Sequence, residues 1–305
     1  MSGILILEQT LNGLQFGLML FLLAAGLTLV FGIMDMINLA HGSLYMIGAF
    51  LTSTLVGVTG SFLLGVLLAI PATAAVGMLL EIAVLRRLYA RDHLSQVLAT
   101  FALILVANEA VRIIWGSDQP LTTPAALSGP VELLPGMYYA SYRLVIIAVG
   151  VAVAALLYVV VNRTRVGMLV RAGASNREMA SAMGVDIRTL FTLVFGFGAG
   201  LCALAGAMLG PLFAVQVGMG ENILILAFVV IVVGGIGSIR GALVGSIIVG
   251  MVDTIGRAFL PALLREFLPP QFAGAIGPAL ASILIYLLMA AVLFWKSQGL
   301  FPARG

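Results

Sequence analysis

Nine stretches of this 305-residue chain are built almost wholly from apolar residues: 8–31, 43–60, 62–85, 94–115, 143–162, 190–214, 217–236, 242–264 and 278–295. A helix rises 1.5 Å per residue, so about 20 such residues cross a hydrocarbon core of ~30 Å. All but 43–60 and 278–295 reach that length, and those two remain in range. Charged residues are 9 % of the chain, against roughly 25 % in soluble domains, too few to cover a surface facing water. A membrane β-barrel needs ~10-residue segments alternating with period two, and that pattern is absent. The expected fold is therefore all-α: a polytopic transmembrane helical bundle of eight to ten spans, some of them half-spans broken at glycines. It reads as one domain over 1–305.

The arginines orient this bundle. Arg86, Arg87 and Arg91 lie in 85–93, and Arg163, Arg165, Arg171, Arg177 and Arg188 in 162–188. Two spans separate these loops, so they share a side, and the positive-inside rule makes it the cytoplasm. The tail, with Lys296 and Arg304, belongs to the same side. Nine crossings put the N-terminus outside; an even count reverses that. The net charge of +3 follows from this asymmetry, so no nucleic-acid partner is expected. No Lys or Arg precedes the first apolar run, unlike the charged start of a cleaved signal peptide, so that run is read as a span. Cys202 sits inside an apolar run as a packing residue. The outward loop 116–142 holds four prolines and three glycines. It is either a plain surface loop or a place where a partner docks.

Polar residues interrupt the apolar pattern at two places. "VFGIMDMINLAHGSLYMIGAF" (30–50) carries Asp35, Asn38, His41, Gly42 and Ser43 in its middle. Irregular backbone inside a bilayer survives only where protein or a water-filled cavity covers it. Gly32, Gly42 and Gly48 permit a break or close helix approach, and Asn38, His41 and Ser43 can bond a polar substrate or freed backbone. The other reading is a short interfacial turn open to water. The second interruption is "GGIGSIRGALVG" (234–245). Gly235, Gly237 and Gly241 are spaced G-x-G-x-x-x-G, which is not the dinucleotide fingerprint. Arg240 is either a cavity cation that attracts a carboxylate or an interfacial arginine. Residues 30–48 align without gaps on 232–250, matching at Val30/Val232, Gly32/Gly234, Ile37/Ile239, Ala40/Ala242 and Gly48/Gly250. Paired interruptions in two halves point to a transport path. The candidate path or hinge residues are Gly32, Asn38, His41, Gly42, Ser43, Gly234, Gly235, Gly237 and Arg240.

Glu109/Arg112 and Asp253/Arg257 stand at i,i+3 and i,i+4 and read as neutralising pairs on one helix face. Glu81, near Arg86, reads as interfacial, and Asn108 as a packing or pore residue. GxxxG pairs at Gly13/Gly17, Gly196/Gly200, Gly206/Gly210 and Gly241/Gly245 allow close helix contact. The single lysine, Lys296, has no P-loop before it, and His41 and His93 show no metal-ligand clustering. No catalytic set stands out, so no enzyme activity, metal or cofactor is expected on this chain. Any ATP-driven step needs another chain. Residues 173–186, "GASNREMASAMGVD", read as a short amphipathic helix. Met179, Ala180 and Met183 form its apolar face and Asn176, Arg177 and Glu178 its polar one. It suits a partner's groove or lipid headgroups.

Three blocks carry a family likeness. "GLTLVFGIMDMINLAHGSLYMIGAF" (26–50), "VGMLVRAGASNREMASAMGVDI" (166–187) and "IVVGGIGSIRGALVGSIIVG" (231–250) resemble those of the Liv-type branched-chain amino acid ABC permeases, and the likeness covers nearly the whole chain. Urea and short-amide permeases look similar, so the likeness leaves the substrate open. An ion-coupled secondary carrier is a third reading, with Asp35, Glu109 and Asp253 as thin candidates for its coupling groups. The resemblance implies a multi-pass protein of the bacterial inner membrane. It implies a second homologous permease, two cytoplasmic ATPase subunits holding ATP and Mg, and a periplasmic substrate-binding protein. It also implies that 163–189 is a coupling loop, with Asn176, Glu178, Ala180, Met183 and Gly184 meeting the ATPase. Glu178, Ala180 and Gly184 match the general importer motif E-A-A-x-x-x-G; Met179 replaces the first alanine, and no I-x-L-P follows.

Overall fold

The computed structural model of the chain describes residues 3–36, 38–267 and 269–301. Ile37, one of the five matched positions, and Arg304 of the basic tail lie outside them. Eleven helices run through the described residues: α1 (Gly3–Met34), α2 (His41–Thr59), α3 (Phe62–Ala83), α4 (His93–Trp115), α5 (Ser141–Arg163), α6 (Arg165–Ser175), α7 (Arg177–Ala182), α8 (Ile187–Phe213), α9 (Met219–Gly234), α10 (Ile239–Leu264) and α11 (Pro270–Trp295). All except α6, α7 and α9 are long and apolar enough to cross a membrane. The nine apolar stretches fall on α1 to α5 and α8 to α11. The stretch 217–236 became the 16-residue α9, which rises about 24 Å and falls short of a full hydrocarbon core.

Polar side chains open the helices that follow the hydrophilic turns. Asp92 accepts from Ser95 N, Thr164 from Gly167 N, Asn176 from Met179 N, and Asp186 from Arg188 N and Thr189 N. These caps satisfy amides that have no intrahelical partner. The Ser95 hydroxyl and amide hold the Asp92 carboxyl below its ordinary pKa, and those of Thr189 do the same for Asp186. Pro71, Pro211, Pro261 and Pro278 lie inside helices. Bundles tolerate this where neighbours satisfy the freed backbone groups.

The region 116–142 is more ordered than a loop. Strands β2 (Pro130–Leu134) and β3 (Met137–Ala140) form an antiparallel hairpin that turns at Gly136, φ 81°. Strand β1 (Asp118–Gln119) pairs antiparallel with β4 (Val215–Gln216). These strands of two to five residues are too short for their alternation to show in the sequence.

The chain forms two compact units. One comprises Leu22–Pro124 and Val153–Ile225; the other comprises the described residues to Phe21, Ala125–Ala152 and those from Leu226 onward. In the first, α2, α3 and α8 pack through small residues. A Cβ on Gly77 would stand 2.6 Å from Ala199 Cβ, and Gly48 and Gly206 press α2 and α8 together at Ala203 and Tyr45. Met46 and Phe50 are buried in a cluster with Val111, Leu121 and Val215, and Phe195 and Cys202 of α8 are buried as well. In the second unit the N-terminal half of α1 lies on α10. A Cβ on Gly17 would stand 2.8 Å from Ser246 O, and one on Gly250 2.5 Å from Gly17 Cα. Such close approach is what glycine pairs offer in lipid, where packing rather than hydrophobicity drives helix association. Asp253 and Arg257 pair at 2.7 Å, and Arg257 also donates to Ser282 Oγ. Glu109 and Arg112 pair at 3.1 Å on the exposed side of α4.

Candidate functional site

Helix α1 runs through Gly32 and stops at Met34. Asp35 leaves it in a left-handed conformation, φ 49°, its amide still bonded to Phe31 O at 2.9 Å. Such an exit is usually glycine, with Asn or Asp the tolerated substitutes. Asp35 is exposed, whereas Asn38, His41 and Ser43 are buried. Asn38 Oδ1 accepts from Ala40 N at 3.0 Å, a local turn that redirects the chain into α2.

Several polar atoms around the break have no hydrogen-bond partner among the described residues: Asn38 Nδ2, both ring nitrogens of His41, Ser43 Oγ and Thr28 Oγ1, all of them buried. Buried side-chain polar atoms usually have one, and each exception needs a reason. Glycines hollow out the slot that holds His41: a Cβ on Gly26 would lie 2.9 Å from His41 Nε2, and one on Gly198 3.2 Å from its Cε1. The imidazole meets Phe195 edge-on with centroids 5.8 Å apart. Gly42 is pressed onto α9, where its Cβ would stand 2.5 Å from Gly220 O.

Beside this break is a shallow cleft too narrow to admit a water molecule. Leu39, Met46, Ile104 and Leu224 form apolar walls, and Ser43, Asn108 and Glu221 are the polar lining. Asn108 Nδ2 donates to Glu221 Oε1 at 2.6 Å. Asn108 had been legible as a candidate; its partner, 113 residues away, had not.

The second interruption is a tight turn between α9 and α10. Gly235 and Gly237 take φ 110° and 80°, Ser238 N donates to Gly235 O, and Ser238 Oγ caps Gly241 N. Gly234 and Gly241 stand back to back without room for a side chain. The C-terminal segment straps this turn. Leu300 N donates to Val233 O at 2.9 Å and Phe301 N to Gly234 O at 2.8 Å. Arg240 is exposed in the first turn of α10. The structure thus brings Asn38, His41, Gly42 and Ser43 together, and separately Gly234, Gly235 and Gly237.

The segment 173–186 is not one helix. Gly173–Ser175 ends α6, Asn176 caps the six-residue α7, and Gly184 closes it at φ 89°, with Val185 N returning to Ala180 O. The proposed apolar face is split. Ala180 is buried, whereas Met179 and Met183 are 60 % and 81 % exposed, and Glu178 is exposed as well.

Sequence reasoning missed the surroundings of Glu81. It is fully buried within the protein, and its carboxylate accepts from Arg86 twice (3.2 and 3.0 Å), from Tyr89 OH (2.8 Å) and from Thr192 Oγ1 (2.6 Å). Burial, and then the bond to Glu81, push the Tyr89 phenol above its ordinary pKa, so it remains a donor. Glu81 and Arg86 are five apart, outside helical register. They meet because α3 ends at Ala83 and Leu85–Arg87 turns back as a 3-10 helix.

The family described as branched-chain amino acid transport system, permease component, matches residues 9–293. The chain is 30 % identical over 263 residues to the high-affinity branched-chain amino acid transport system permease protein BraD of Pseudomonas aeruginosa, covering 82 % of this chain and 86 % of that one. It is 29 % identical over 275 residues to LivH of Escherichia coli K12, covering 85 % and 89 %. A probable LivH of Methanocaldococcus jannaschii is 28 % identical over 252 residues, covering 79 % and 78 %. No solved structure matches. A polytopic helical bundle, broken inside an apolar run and matched over nearly all its length, belongs to the branched-chain amino acid permease family of ABC transporters: a transport component, not an enzyme.

Proposed function

We propose that this permease carries branched-chain amino acids inward across the bacterial inner membrane, past the break between α1 and α2. The observation that carries this reading is the set of buried, unpartnered groups on Asn38, His41 and Ser43. An unpaired polar group in a low-dielectric interior costs about 1–3 kcal/mol. A protein keeps several of them together where another state, with the path open, gives them partners. With the path open, Leu39, Met46, Ile104 and Leu224 beside Ser43 and Glu221 would offer apolar walls to an aliphatic side chain and polar groups to its amino-acid head. Urea would need donors and acceptors around it instead.

In this reading the whole chain is one permease domain and 163–189 is its coupling loop. It pairs with a second, homologous permease, and a periplasmic binding protein delivers substrate. Two cytoplasmic ATPase subunits, which hold ATP and Mg, receive Met179 and Met183 of α7. The exposure of both methionines supports that docking, since flexible apolar side chains suit a groove. The test is a pull-down of the tagged chain from its native membrane in mild detergent, followed by leucine uptake in proteoliposomes. Recovery of an ATPase and a second permease, with uptake that needs ATP, is expected. A chain reproducibly free of any ATPase would overturn the reading.

A further inference from the structure

The cytoplasmic end of α1 is held by a side chain from α7. Arg177 Nε–H donates to Ile33 O at 3.1 Å. Ile33 lies in the last turn of α1, where carbonyls lack intrahelical partners and a cation meets the negative end of the helix dipole. Asp35 N occupies Phe31 O, and Arg177 caps the helix on the carbonyl two residues further on. Two residues past Ile33 the first break begins.

The guanidinium is also seated on a rigid support. Its Cζ stands 5.5 Å from the centroid of the Phe191 ring on α8, a cation–π arrangement. Phe191 meets Tyr89 edge-on at 5.4 Å. The Tyr89 hydroxyl donates to Glu81, and Met34 Sδ is 3.5 Å from the same oxygen. Glu81, bonded to Arg86, Tyr89 and Thr192, closes the support from α3 to α8. Arg86 also donates to Thr192 at 2.7 Å. The helix expected to meet the ATPase is thus tied by one guanidinium to the end of the helix that enters the break.

We propose that Arg177 is a positioning residue for transport. It transmits displacement of α7 to the end of α1 and so to residues 35–43, with the Glu81, Tyr89 and Phe191 assembly as the seat that keeps its geometry. This rests on the reading of α7 as the ATPase-facing element. One side chain caps the end of one helix while belonging to another, so displacement of α7 must either carry the end of α1 with it or break this bond.

The test uses the full complex with its ATPases, partner permease and binding protein, reconstituted in proteoliposomes. ATP hydrolysis and radiolabelled leucine uptake are measured on the same vesicles. Arg177→Ala is expected to copurify with the ATPases at wild-type stoichiometry and to hydrolyse ATP. It should deliver roughly tenfold less leucine per ATP, the scale of one lost charge-assisted hydrogen bond. Arg177→Lys, which can still reach the carbonyl, should recover most of that ratio. Tyr89→Phe removes one hydroxyl and little volume, and should lower the ratio about threefold; it carries the same readout if Arg177→Ala does not accumulate. An unchanged leucine-to-ATP ratio in these variants overturns the relay, as does loss of the ATPase from the Arg177→Ala complex, which makes Arg177 a docking residue. A wild-type complex without ATP-driven uptake sinks the importer reading instead.

Discussion

Two interruptions of apolar helices, written in similar residues, have opposite chemistry. Between α9 and α10 the chain turns in four residues. Gly235 N and Ser238 N are bonded to backbone carbonyls, Ser238 Oγ caps Gly241 N, and Val233 O and Gly234 O accept from the strap at Leu300 and Phe301. Between α1 and α2 six residues separate the helices, and Asn38 Nδ2, the His41 ring nitrogens and Ser43 Oγ are buried there without partners among the described residues. Glycine spacing therefore marks where a helix stops, and the state of the hydrogen-bonding groups tells a joint from a site. A satisfied turn stabilises one conformation. Unsatisfied buried groups raise the free energy of this conformation relative to one that gives them partners.

The contrast predicts which property each break controls. The largest effect is expected at the turn. A Cβ on Gly235 would stand 2.5 Å from Phe301 O at φ 110°, so Gly235→Ala should destabilise the protein by about 3 kcal/mol. Detergent thermal unfolding reads this, and leucine uptake per folded molecule should hold. A stop after Lys296 removes the strap, and the same glycine substitution should then cost less, a coupling that a double-mutant cycle measures. Additive costs would detach the strap from the turn.

At the first break the order reverses. Asn38→Leu should leave the amount of folded protein near wild type and lower uptake at least about tenfold, or ~1.4 kcal/mol. Unchanged uptake kinetics would reduce this break to architecture, like the other. Met183→Arg, at the exposed edge of α7, should weaken ATPase recovery in pull-downs about tenfold with no change in thermal stability. Gly184→Arg is a poorer probe, because φ 89° there makes the substitution strain the turn as well. Smallest is Ser43→Ala. Removing a buried hydroxyl that has no partner should raise stability by up to about 1 kcal/mol while uptake falls. A loss of stability would mean that Ser43 bonds a group in the closed state.

The sequence carried the α-helical bundle because lipid leaves little choice. Apolar runs must satisfy their own backbone, and helices do that locally. Residue spacing likewise announced the pairs Asp253/Arg257 and Glu109/Arg112 and the contacts at Gly13 and Gly17, all set by one helix face. It also flagged Asn38, His41, Gly42 and Ser43, since polar letters inside an apolar run stand out. Tertiary structure decided what those letters do. Whether Asn38 Nδ2 finds a partner depends on helices far along the chain. So does the placement of Glu81 against Thr192, 111 residues away, and of Arg177 against Ile33, 144 residues away. The strap from Leu300 to Val233 is of the same kind, since a backbone amide leaves no side-chain signal. Local periodicity fixes elements, whereas hydrogen bonds between distant elements depend on packing, and packing distinguished the candidate site from the glycine turn.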